Sequence, residues 1–129
     1  MRMIKCFYEL KVWRDAHALT LKIYMLTKDF PREEQFGLVS QLRRASASIG
    51  ANIAEGFGRF HSKDKARFYQ QARGSALEVQ NHVFLARDLN FLSKHQAEEL
   101  SQEIDIVARE INGLIAAMLP QTLTPNPIT

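Results

Sequence analysis

QLRRASASIGANIAEGFGR, residues 41–59, packs six side chains of almost no bulk, Ala45, Ser46, Ala47, Ser48, Gly50 and Ala51, into one short run. A helix built from them lets another backbone approach closely, so the run reads first as a packing surface. Leu38, Leu42, Ala45, Ile49 and Ile53 recur at spacings of four and three, which gives this helix an apolar stripe. Gly56 and Gly58 weaken it at its end. Asn52 and Glu55 stand three apart on one helical face beside Ile49 and Ile53, where an amide and a carboxylate must find partners or cost stability. The segment FYQQARGSALEV, residues 68–79, offers Arg73 and Glu78, and its Gly74 and Ser75 read as the notch facing the small run.

Helical spacing extends in both directions. Val12, Ala16, Leu19, Ile23, Leu26 and Phe30 form a heptad-like seam, with Lys11, Asp15 and Lys22 on the solvated side and Pro31 as the limit. A third helix is expected from Ser62 as N-cap, with Asp64 in its first turn and Phe68, Ala72, Ser75, Val79, Ala86 and Leu89 facing inward. Residues 90–93 make a tight connection, and Ser93 with Gln96 has the spacing of a capping box. Ala97, Leu100, Ile104, Val107, Ile111, Leu114 and Met118 carry the last helix to Pro120. The pattern predicts an all-α, antiparallel up-down-up-down four-helix bundle over residues 10–119, about 30 to 40 Å long. Residues 1–9 are an N-terminal extension and residues 120–129 a disordered tail in this reading.

The wording of two segments is specific. Phe30-Pro31, Phe36-Gly37-Leu38, Gln41-Leu42-Arg43-Arg44-Ala45, Ser48-Ile49, Ala51-Asn52-Ile53-Ala54-Glu55-Gly56 and Ala72-Arg73-Gly74-Ser75 resemble the 23S rRNA intervening-sequence proteins, a four-helix-bundle family similar in fold to accessory proteins of diversity-generating retroelements. The likeness covers roughly residues 10–119. It departs at Gly50, where the family commonly has proline after the Ser-Ile pair. The resemblance implies a small helical subunit that assembles into a homo-oligomeric ring, often a pentamer, with an RNA or DNA partner and no established enzymatic activity. A nucleic-acid-processing protein such as a reverse transcriptase is a further partner it implies.

Composition fits one domain: 129 residues with 46% hydrophobic content bury one core. Cys6 is the single cysteine, so no intramolecular disulfide forms and a reducing compartment is expected. No run reaches the length of a membrane span, no signal peptide is evident, and the expected location is cytoplasmic. Charge is uneven: residues 1–75 hold fourteen Lys and Arg against seven Asp and Glu, whereas residues 76–129 hold three against seven. Such asymmetry marks either a nucleic-acid surface or complementary faces that neutralise each other.

Three constellations of side chains could carry chemistry. Arg43, Arg44, Asn52, Glu55, Arg73 and Glu78 read as one structural polar network, in which guanidinium groups satisfy carboxylates. Metal ligation has little basis, because a di-iron bundle needs a Glu-x-x-His pair; Glu78 and His82 are four apart, while His17, His61 and His95 are scattered. No phosphate loop, dinucleotide motif or nucleophile elbow is present, so neither catalytic residues nor a cofactor are expected. Arg59, Lys63, Lys65, Arg67 and Arg73, interleaved with Phe60, His61, Phe68 and Tyr69, are the candidate nucleic-acid residues: cations hold phosphates and aromatic rings stack unpaired bases. Phe60 and Phe68 also fit a core pattern. The competing reading is a protein assembly subunit that makes contacts through Trp13 and Tyr24 of the first helix.

Overall fold

Four long helices account for most of the chain: α1 Lys11–Thr27, α2 Leu38–Phe57, α3 Ser62–Asp88 and α4 Lys94–Met118. The coordinates are a computed structural model that describes residues 3–119, so the expected disordered tail and the stop at Pro120 lie outside the described residues. Single 3₁₀ turns, Phe7–Glu9 and Arg32–Glu34, precede α1 and α2. The first packs on the bundle through Phe7, whose ring meets Trp13 edge-on at 5.3 Å.

Contacts between neighbours run in opposite senses along each pair, as an up-down bundle requires. Between α1 and α2, Thr20 Oγ1 donates to the Ser46 carbonyl and Arg43 Nε to Thr27 Oγ1. Arg44 reaches Glu78 and Ser48 reaches Ser75 between α2 and α3, while Gln80 meets Ser101 and Arg73 meets Asn112 between α3 and α4. Ion pairs from Lys11 to Glu110 and from Lys22 to Glu103 close the cycle between α4 and α1. Each is partly solvated and sets register more than it stabilises.

The core sits where the seams meet, with Leu19, Ile23, Leu42, Ile49, Ile53, Val79, Val83, Leu100, Val107 and Ile111 almost fully enclosed. The α2 stripe is buried throughout. Two inward positions move. Leu89 is exposed because α3 ends at Asp88 and Asn90, at φ 65°, turns the chain, so Leu92 fills the corner instead. On α4, Ile115 is the buried residue while Leu114 and Met118 are half-buried. Ser93 and Gln96 do form the reciprocal capping box, at 3.0 Å in each direction. At the start of α3 the cap is His61, without a side-chain hydrogen bond, and Ser62 is already helical.

Small residues bring α2 and α3 together, and this is the most extensive helix pair in the molecule. Ser48 Oγ donates to Ser75 Oγ at 2.6 Å, and Ala45, Ala72 and Ala76 are wholly buried. Gly74 is not the notch: it is exposed, with nothing near the position a Cβ would take. The residue that requires glycine is Gly56, where a Cβ would lie 2.6 Å from Tyr69 Cε1 and 3.0 Å from Phe68 Cβ.

Gly50 lies under Trp13, whose Nε1 is 3.3 Å from the position of a Cβ there. Helix α2 runs through this position without a break. In an α-helix the Gly50 N–H donates to the Ser46 carbonyl, and Thr20 Oγ1 donates to the same oxygen at 3.0 Å. A proline at position 50 would remove the helical donor and leave only the Thr20 hydroxyl, whose one proton the Ala16 carbonyl, also at 3.0 Å, shares.

Candidate nucleic-acid interface

The α2–α3 corner is held from both sides. Helix α2 ends at Phe57, and the carbonyls of Phe57 and Gly56 accept hydrogen bonds from Lys65 Nζ at 2.6 and 3.4 Å. A cation is favoured there, since the last carbonyls of a helix are unsatisfied and carry its negative end. Lys65 thus ties the start of α3 to the end of α2. Of the five cations expected to meet nucleic acid, this one is committed to the fold.

Arg59 and Arg67 flank the ring of Phe68, their guanidinium carbons 4.6 and 4.8 Å from its centroid. Phe68 is 7% exposed and belongs to the interior, so the ring fixes two like charges by cation–π attraction at the surface. The Arg59 side chain makes no hydrogen bond or ion pair among the described residues, and Arg67 has only a loose pair with Asp64 at 3.8 Å. Lys63 is exposed and without an ion pair among the described residues. Phe60, in contrast to the core pattern, is 97% exposed on the connecting turn. Arg73 lies farther along α3 and donates to Asn112 Oδ1 at 3.3 Å. The corner therefore holds Arg59 and Arg67 on the Phe68 ring, with Lys63 exposed on the first turn of α3 and Phe60 on the connecting turn, while Lys65 and Arg73 serve helix packing.

The six-residue polar network is not one network within the subunit. Arg43 closes the end of α1, donating to Thr27 Oγ1 at 3.0 Å and the Tyr24 carbonyl at 3.2 Å and stacking on the Tyr24 ring. Asn52 donates to the Ser48 carbonyl of its own helix at 2.9 Å. Glu55 is exposed and unpaired among the described residues. Helical spacing put Asn52 and Glu55 beside the apolar stripe, but their angular position on α2 leaves them at its solvent edge. Only Arg44 and Glu78 meet, at 2.6 Å, and His82 joins them with Nε2 donating to Glu78 Oε2 at 3.2 Å. His82 is buried, a packing histidine of the α2–α3 seam. Among the described residues no group of three His, Cys, Asp or Glu could hold a metal ion.

Partial burial pushes the Glu78 carboxyl up, but hydrogen bonds from His82 and Arg44 outweigh it and hold its pKa below the ordinary 4.5. A lowered folded value means that Glu78 stabilises above pH 4.5 and that this contribution fades as pH falls through the lower folded value. Urea unfolding of wild type and Glu78→Gln should therefore differ by up to about 1 kcal/mol near neutrality and converge in acid. A gap that widens in acid would contradict the arrangement.

Fold and surface define a small all-α protein, an up-down-up-down bundle with a basic corner at one end. The chain belongs to the 23S rRNA-intervening sequence protein family, whose model matches residues 8–113. A crystal structure of a protein of unknown function from the S23 ribosomal protein family of Bacteroides thetaiotaomicron has the same fold, with TM-score 0.73 at 20% identity over 81% of this chain and 97% of that one. A comparison with curated proteins gives no match. Among the described residues no helix is long and apolar enough to cross a membrane.

Proposed function

We propose that this protein is a non-enzymatic, oligomeric binding module that holds RNA or DNA by its phosphate backbone at the α2–α3 corner. The observation that carries the reading is the set of exposed cations Arg59, Lys63 and Arg67, two of them oriented on one buried ring and none tightly paired. Guanidinium groups with free donors suit phosphate oxygens. One corner supplies few phosphate contacts, so a ring of subunits, a pentamer by family likeness, would multiply a weak site by avidity. Sequence readout is not expected, since the chain carries no recognised base-reading module.

Binding measured by gel shift on the purified protein should fall steeply as salt rises from about 50 to about 200 mM, as release of counterions requires. Absence of a shifted species at every salt concentration would remove the proposal.

A second reading, a subunit for protein assembly, is favoured by apolar side chains left outside. Leu21 and Met25 stand exposed on α1, and Leu77 and Phe84 on α3, faces of two helices able to meet in a head-to-tail ring. Trp13 is committed in part to packing within the subunit. It is half-buried against Gly50 and stacked on His17 with centroids 4.7 Å apart. Light scattering on a sizing column tests the assembly that both readings share: a monomer contradicts the ring and this second reading alike.

A further inference from the structure

We infer that Phe60 is a stacking platform for one unpaired nucleotide, which makes the corner selective for single-stranded over duplex nucleic acid. The inference rests on the reading of the corner as a phosphate-binding surface. Phe60 is the most exposed large apolar side chain among the described residues, at 97%. Its backbone is held on a short turn by anchors on either side. Gly58 N–H donates to the Ala54 carbonyl and Arg59 N–H to the Gly56 carbonyl, and beyond the turn Lys65 N–H donates to the His61 carbonyl. The Lys65 side chain clasps the end of α2 from the other direction. An aromatic ring presented on such a turn loses little freedom on binding.

Charge complementarity names the occupant. Arg59 precedes the ring in the chain, and Arg67, stacked on the same buried Phe68, brings a second guanidinium to the corner. A nucleotide offers both a π face for Phe60 and a phosphate for these cations. In a duplex the base faces are already stacked on their neighbours, so only the phosphates remain for the corner. An apolar partner protein would leave the two guanidinium charges held on Phe68 unanswered.

The test uses the whole protein and three fluorescein-labelled probes of about twenty nucleotides, a mixed-sequence RNA strand, the DNA strand of the same sequence and the blunt RNA duplex, read by anisotropy. Phe60→Ala should weaken single-strand binding about tenfold, and Phe60→Trp should keep it, because a π face is what the base requires. Duplex binding and the salt slope should stay unchanged. Equal loss on strand and duplex, or no loss at all, overturns the inference while the phosphate surface stands. A smaller assembly for Phe60→Ala on the sizing column also overturns it, since the ring would then be a subunit contact. If wild type binds none of the probes, the phosphate surface falls and the platform with it.

Discussion

Gly56→Ala lowers stability by about 1–3 kcal/mol even though alanine is the better helix former by about 1 kcal/mol. The new Cβ would stand 2.6 and 2.9 Å from two carbons of the Tyr69 ring and 3.0 Å from Phe68 Cβ. Neither side chain can retreat, because Tyr69 and Phe68 are both buried and interiors this dense absorb an added methyl only by moving backbone. Since Gly56 also offers its carbonyl to Lys65, separation of α2 from α3 would loosen the basic corner as well. Gly74→Ala is the control of opposite sign. That glycine lies in the interior of α3 with open space at its Cβ, so alanine should add up to about 1 kcal/mol. Urea melts of the two variants decide the matter: equal effects would mean that the close α2–α3 approach is not what glycine at 56 provides.

Lys63→Glu combined with Arg67→Glu should reduce nucleic-acid affinity at least about tenfold near 100 mM salt while the oligomer stays intact. Both side chains project from the exposed face of the first turns of α3, and neither closes a helix end nor fills the core. Removal of two phosphate contacts flattens the dependence of log affinity on log salt by about 1.4 for a single strand. Lys65→Met makes the useful contrast. It should lower the melting temperature by taking the lysine donor from the Phe57 carbonyl and leave that slope nearly unchanged. If the double charge reversal binds as wild type does, the corner is not the interface.

The four-helix architecture was legible because its signals are local. Three-four spacing of Leu38, Leu42, Ala45, Ile49 and Ile53, the Ser93–Gln96 box and the short connections each act within a few residues, and all reappear in the fold. The candidate site was legible only in part. Arg59 and Arg67 share the Phe68 ring and Lys63 is exposed on the same stretch, but residue type could not separate them from Lys65, whose amine ends on backbone carbonyls eight and nine positions earlier. The signal was present in hindsight: a lysine one turn into a helix, just after a glycine-rich helix end, is within reach of that end's carbonyls.

By itself the sequence determined which segments are helical, which face of each is apolar and that one half of the chain carries the positive charge, because propensity, period and charge are properties of neighbours along the chain. Tertiary structure decided the rest. Which small residue is indispensable, Gly56 rather than Gly74, depends on the ring that stands opposite it. Whether Phe60 and Phe68 are core or surface depends on where a turn ends and a helix begins, and the two came out opposite. The proposed polar network separated for the same reason: side chains that share a helical face in one dimension are assigned different partners once four helices fix their rotation against one another.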